Sequence, residues 1–386
     1  MNVTLEGNVQ AGFEPVADAF LANFAEHDEV GAACSMYIDG EPVVDIWGGM
    51  ADVEEGRAWA QDTVVIVFSC TKGATAVCAN KLIQEGRLDP DAPIAQYWPE
   101  FAANGKGNIS VRWGLSHQAG LAAVDGDLTL DDVLACDPVV EAIAAQAPNW
   151  EPGTKHGYHS RSYGWINGEI IRRITGLSPG QYFAREIAAP LGLDFTIGTP
   201  AELDPRIATL YPAVHDPEVQ ALVDAVLTDQ STLMGRVMSG PSGLLTYNDV
   251  WNTRRMRAAE MPSSNGHGDA RSLARMYAAC IGEVDGVRLL TDETVRRATE
   301  VQVEGPDCVV GQPLTIGLGF MLAPTFPVPV GPRTFGHSGA GGSLAFTDPD
   351  RCVAFAYVMN QMKMSMSHQD PRGAALVAAA YQALGA

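Results

Sequence analysis

Apolar positions recur at helical spacing over residues 13–27, "FEPVADAFLANFAEH", and predict an amphipathic helix. The next run, "GAACSMYIDGEPVVDIWGGMAD" (31–52), is rich in β-forming residues on either side of Asp39-Gly40. That dipeptide tolerates the positive φ angles of a tight turn, so the run predicts an antiparallel hairpin. "DTVVIVF" (62–68) reads as a buried strand. From Cys70 the pattern turns helical and continues to Gly86, which marks a stop. Residues 90–190 carry helical signals interrupted by Pro and Gly, while residues 200–265 show little periodicity and predict long ordered loops with short helices. After a helix in "DARSLARMYAACIG", three strand-like runs follow, "LTIGLGFML", "GSLAFTDPD" and "RCVAFAYVMN", and "PRGAALVAAAYQAL" closes the chain as a helix.

Strands toward both ends with helices between them predict an α+β fold. Residues 1–85 and 176–386 would build one antiparallel sheet with flanking helices, residues 86–175 a smaller helical unit, and the functional site would lie between the two.

Composition narrows the function classes. A net charge of −21 opposes polyanionic partners, which draw their affinity from basic residues, so nucleic acid is excluded and an anionic membrane surface disfavoured. No apolar run is long enough to span a bilayer. The start, "MNVTLEGNVQAGFEP", has no basic region followed by an apolar one, which points to the cytoplasm. Seven cysteines without a CxxC pair suit free thiols and argue against disulfides and Cys-based zinc sites. His156 and His159 flank Tyr158 but lack a carboxylate or thiol partner, so no metal is expected.

Candidate chemistry begins at the predicted strand-to-helix junction. Ser69 there is either an N-cap or a nucleophile. Lys72 stands three residues on, on the same helix face, where it reaches the serine hydroxyl; a buried lysine with a lowered pKa serves as a base. The run Val64–Phe68 and the small residues Gly73, Ala74 and Ala76 predict a tightly packed, buried helix start. A serine–lysine pair needs further proton-handling and oxyanion-binding groups. Two stretches offer them: "WEPGTKHGYHSRSYGWINGEIIRRITG", with Tyr158 after a Pro-Gly turn, and "FGHSGAGGSLAFTDP", whose small residues let backbone approach a ligand closely.

Ser69-Cys70-Thr71-Lys72, Tyr158-His159-Ser160 and His337-Ser338-Gly339 stand in the order of the three motifs of the serine β-lactamase and penicillin-binding-protein superfamily. The chain resembles most its esterase branch, the family VIII carboxylesterases, which are similar to class C β-lactamases. The likeness extends to "VRWGLSHQAGL" (111–121) and to "WGG" at 47–49. It implies a β-lactamase/transpeptidase-like fold and a serine hydrolase that cleaves neutral, short-to-medium acyl esters through an acyl-enzyme, without a cofactor. By the same resemblance Ser69 is the nucleophile, Lys72 its activating partner and Tyr158 the proton shuttle. The backbone N–H groups of Ser69 and Ala340 form the oxyanion hole, and Ser160, His337, Ser338 and Gly339 contact substrate.

Two positions depart from the β-lactamase pattern. His337 replaces a lysine that holds a substrate carboxylate, and Ser160 replaces an asparagine that contacts the substrate amide; both changes point to neutral esters. The alternatives are a β-lactamase, a D-amino-acid peptidase or another amide hydrolase or acyltransferase of the same fold, and, from another class, a non-catalytic binding protein. "GHSGA" nearly matches the nucleophile elbow of α/β-hydrolases, but it leads into a strand-like run with about 50 residues left, the wrong context for an elbow. His117 reads as a structural hydrogen-bonder, Cys70 as packing, and "MNQMKMSMSH" (359–368) as a pocket wall or a surface loop.

Overall fold

The computed structural model describes residues 3–214, 217–327, 329–363 and 370–385. One end of the chain supplies β1 (Glu6–Val9), β2 (Gly31–Ile38) and β3 (Glu41–Asp52). The other supplies β4 (Val303–Pro306), β5 (Pro313–Ile316), β6 (Met321–Leu322), β7 (Phe335–Ser338), β8 (Leu344–Asp348) and β9 (Val353–Met359). They form one antiparallel sheet in the order β1-β3-β2-β9-β8-β7-β6-β5-β4, with Arg57–Ala58 added against β3. Asp39 and Gly40 take φ of 50° and 83°, as a tight two-residue hairpin turn requires, and join β2 to β3.

Five helices build the layers around this sheet: α1 (Glu14–Glu26), α2 (Cys70–Gln84), α3 (Ser162–Thr175), α4 (Ala270–Ile281) and α5 (Pro371–Ala383). The central strands are buried on both faces, and alternation sorts their side chains. Phe355, Tyr357 and Met359 of β9 join Met36 and Cys34 against α1 and α5, in a core with Phe20, Phe24, Leu376 and Tyr381. Ala354, Ala356 and Val358 face the other way, and with Ala33 and Ala345 they let α4 lie close to the sheet through Leu273, Ala274 and Tyr277.

α2 is buried all round from Cys70 to Asn80, which explains its weak amphipathic pattern. A Cβ at Gly73 would fall 2.0 Å from the Tyr277 hydroxyl of α4, so the glycine is what permits this approach. Helical segments from 94 to 191 cover the far side of α2.

Several predicted elements shift. "DTVVIVF" is not a full strand: Val65–Ile66 pairs with His267–Gly268 and Val64 makes a single bridge to Ile207, because the chain turns at Phe68 to launch α2. "LTIGLGFML" splits into β5 and β6 around Gly317 and Gly319. β7, β1 and β4 are too short to announce themselves. The 200–265 region has short helices and long connections, and also a 12-residue helix, Pro217–Thr228, with no buried residue.

Candidate active site

Phe68 sets up the serine. It has φ of +41°, a region costly for a bulky residue, and its buried ring meets Tyr247 and Trp251 edge-on at 5.4 and 5.2 Å. These contacts hold the backbone so that Ser69 sits at the N-cap position of α2. Ser69 makes no side-chain cap bond, and its Oγ faces Lys72 and Tyr158 instead.

Lys72 is fully buried, with Nζ 2.9 Å from Ser69 Oγ. The same nitrogen donates to the carbonyls of Ser160 at 2.8 Å and Ser263 at 3.0 Å, and it lies 4.9 Å from the centre of the Tyr158 ring. Burial, and then the positive charge of Arg161, hold its pKa well below that of an ordinary lysine. Each amine hydrogen of a neutral lysine can satisfy one carbonyl, which leaves the nitrogen lone pair for the Ser69 hydroxyl.

The Tyr158 hydroxyl donates to Ser69 Oγ at 2.8 Å. Burial pushes the phenol above its usual range, so it stays protonated at neutral pH. Its neighbours form a neutral histidine scaffold. His117 Nδ1 accepts from the His159 N–H at 3.0 Å, and His159 Nε2 accepts from the Leu121 N–H at 3.0 Å. His159 Nδ1 lies 2.6 Å from the Gly157 carbonyl, an acceptor, so this nitrogen carries the ring proton. Burial lowers His117 well below the usual histidine range and His159 to about 4. The 111–121 segment thus reaches the site as a brace for the backbone that presents Tyr158.

The third stretch forms β7 and the turn after it. A Cβ at Gly339 would fall 2.3 Å from the Val67 carbonyl, so only glycine lets this strand end lie beside the serine's own loop. Only a three-residue 3-10 turn, Ala340–Gly342, separates β7 from β8, so no α-helix starts here, which excludes the elbow geometry. Ser69, Tyr158, Ser160, Ser338, Gly339 and Ala340 all line one cavity of about 240 Å³. Met238, Val310, Leu314, Met321, Phe326 and Leu344 give it a largely apolar wall.

His337 does not line this cavity. Strand alternation turns it inward, toward Gly73 of α2, with its ring 6.3 Å from that of Tyr158. Its Nδ1 lies 2.6 Å from the Ser338 carbonyl and so bears the proton, and burial lowers its pKa to about 3. The expected substrate contact is therefore replaced by a neutral imidazole behind the wall.

Three residues escaped the sequence reading. Ser263 lies in "MPSSNGHGD", where nothing marks its carbonyl as a lysine ligand. Arg161 is one polar residue in a polar run. Arg372, fully buried at the start of α5, pairs with Glu29 at 3.0 Å and Asp370 at 2.7 Å and donates to the Gly341 carbonyl at 2.7 Å, anchoring the turn after Ala340 from behind. Of "MNQMKMSMSH", Met362 packs under Gly341 and Lys363 lines the cavity; residues 364–369 lie outside the described residues.

The family described as Beta-lactamase matches residues 16–380. Over 376 residues the chain is 36% identical to esterase/beta-lactamase LipL of Mycobacterium tuberculosis (strain ATCC 25618 / H37Rv), covering 95% of this chain and 85% of that one. It superposes on a crystal structure of a family VIII carboxylesterase with a TM-score of 0.89 at 37% identity, covering 98% of this chain and all of the other. A penicillin-binding protein homolog from Caulobacter crescentus gives a TM-score of 0.87 at 36% identity, covering 98% and 100% of the two chains. Among the described residues no helix is long and apolar enough to cross a membrane.

Proposed function

The chain belongs to the beta-lactamase family, and from that membership we propose that it is a serine carboxylesterase acting on neutral esters through an acyl-enzyme. The observation that carries the reading is the placement of Ser69 Oγ at 2.9 Å from a depressed, buried lysine and 2.8 Å from a protonated tyrosine, at the edge of an apolar cavity.

In this mechanism Lys72 takes the Ser69 proton as Oγ attacks the ester carbonyl carbon. The oxyanion that forms is held by the backbone N–H groups of Ser69 and Ala340, donors worth roughly 3–4 kcal/mol each in such sites. Collapse breaks the bond to the alcohol, and Tyr158 gives its proton to the departing alkoxide. The tyrosinate and the Lys72 ammonium then neutralise each other across the serine. Tyr158 next takes a proton from water, the hydroxide attacks the acyl carbon, and Lys72 returns its proton to Ser69 as the acid leaves.

An apolar wall favours uncharged acyl groups over carboxylated β-lactams and peptides. Residues 86–175 and the remainder, 1–85 with 176–386, are the two sides of the cleft in this reading, and seven free cysteines suit a cytoplasmic protein. The test is intact-protein mass spectrometry with p-nitrophenyl butyrate and, separately, a chromogenic cephalosporin, on wild type and Ser69→Ala. Rapid ester turnover lost in the variant, with slow cephalosporin release, is expected. Efficient cephalosporin turnover would move the protein to the β-lactamases, and no turnover or adduct with either would leave a binding protein.

A further inference from the structure

Arg161 is 2% exposed, yet no carboxylate among the described residues pairs with it. The fully buried Arg372, by contrast, is held by two. The Arg161 guanidinium lies over the rings of Tyr247 and Trp251, 5.4 and 5.1 Å from their centres. Nη1 donates to Ser264 Oγ at 3.1 Å, Nη2 reaches the Leu245 carbonyl at 3.5 Å, and Nε has no partner. Burying an uncompensated charge is costly, and a neutral side chain of similar reach would spare that cost.

Its place explains why the charge is kept. Ser160, directly before it, holds Lys72 through its carbonyl, and Ser263 supplies the second carbonyl. Ser263 Oγ donates to the Arg161 carbonyl at 2.9 Å, and the guanidinium grips Ser264 next door. We propose that Arg161 is a positioning residue for the hydrolysis: it locks the two carbonyls that hold Lys72 into one frame and sets a buried guanidinium, paired with no carboxylate among the described residues, behind that frame. The proposal rests on Lys72 being the base.

The surroundings leave this task to Arg161. After burial itself, its charge is the largest cause of the lowered Lys72 pKa. The other titratable groups around Lys72 are held neutral: Cys70, pushed up to about 12, Tyr158 and Tyr163 stay protonated, while His117, His159 and His337 stay unprotonated. Arg161 is thus the charged side chain with the largest effect on Lys72.

The experiment compares kcat/KM for p-nitrophenyl butyrate against pH, with thermal unfolding, in wild type, Arg161→Met and Arg161→Lys. A positive neighbour disfavours the ammonium, so its removal raises the Lys72 pKa. In Arg161→Met the acid limb should move up by about one pH unit, roughly a tenfold loss on the acid side that recovers at higher pH. Arg161→Lys should keep the limb near its wild-type position. A folded Arg161→Met with an unmoved limb, or equal pH-independent losses in both variants, overturns the proposal. Where Arg161→Met does not fold, Arg161→Gln carries the comparison, and if neither neutral variant folds Arg161 is a structural residue and the proposal falls. A wild type without Ser69-dependent turnover sinks the hydrolase reading itself; an active wild type whose limb ignores residue 161 sinks this inference alone.

Discussion

Lys72 donates from α2 to the carbonyl of Ser160 at 2.8 Å, and this bond ties the helix that follows the nucleophile to the segment that presents Tyr158. A lysine held this way is both a fastener and a base, and the two roles can be separated. Arginine cannot lose its proton, so Lys72→Arg should keep a donor in the cleft and yet stay inactive at every pH from about 5 to about 10. In wild type only the neutral amine works, so kcat/KM should rise from the acid side and level off well below the pH at which an exposed lysine titrates. A plateau reached only near pH 10 would contradict the buried, depressed amine.

Ser69→Ala removes the attacking atom, and turnover should fall by at least about four orders of magnitude. Tyr158→Phe leaves the ring and takes only the proton, so roughly a hundredfold to ten-thousandfold loss in kcat is expected. Both variants should melt within a few degrees of wild type; near-normal rates in either one end the assignment.

His337→Lys places an ammonium where β-lactamases carry one. The ratio of cephalosporin to p-nitrophenyl butyrate turnover should rise, even though both rates fall, because the new charge is buried beside Lys72. An unchanged ratio would show that the third motif does not set the preference for neutral esters.

Arg372→Met leaves the buried Glu29 and the half-buried Asp370 without their cation and frees the Gly341 carbonyl behind the oxyanion turn. A loss of about 3–5 kcal/mol in urea unfolding is expected, together with lower kcat. Burial already raises Glu29 to about 7 against the opposing pull of Arg372. The protonated carboxyl is thus favoured in the fold, its contribution is fully present below the unfolded pKa, and it is lost as pH rises through about 7. Wild type should accordingly be somewhat more stable at pH 5 than at pH 8, and Glu29→Gln should flatten that slope.

Phe68→Ala empties the space between Tyr247 and Trp251 and should cost about 3–5 kcal/mol. Because the ring also holds the turn before Ser69, kcat should drop more than KM rises, measured on the fraction that remains folded.

What the chain disclosed in advance depends on how locally each feature is encoded. α1, α4, α5 and the Asp39-Gly40 hairpin depend on neighbouring residues and were legible. Ser69, Lys72 and Tyr158 were legible because three short motifs stand in order, and the structure brings their functional atoms within hydrogen-bond distance. Ser263 acts through a carbonyl, which any residue possesses, so its identity says nothing. The unpaired state of Arg161 depends on which side chains are absent around it, a property of the folded interior. His337 was misplaced because motif order fixes a position along the chain and leaves open which face of β7 the side chain takes.

The sheet joins β2 to β9 at its centre, with Ala33 opposite Val358. Some three hundred residues must emerge from the ribosome between these partners, so the hairpin of β2 and β3 waits with an open edge through most of synthesis. Long-range pairing of this kind folds slowly and exposes strands that can associate wrongly. The demand for a chaperone, and the yield of native enzyme from a fast expression system, should therefore be governed by how soon the last strand arrives to close the gap.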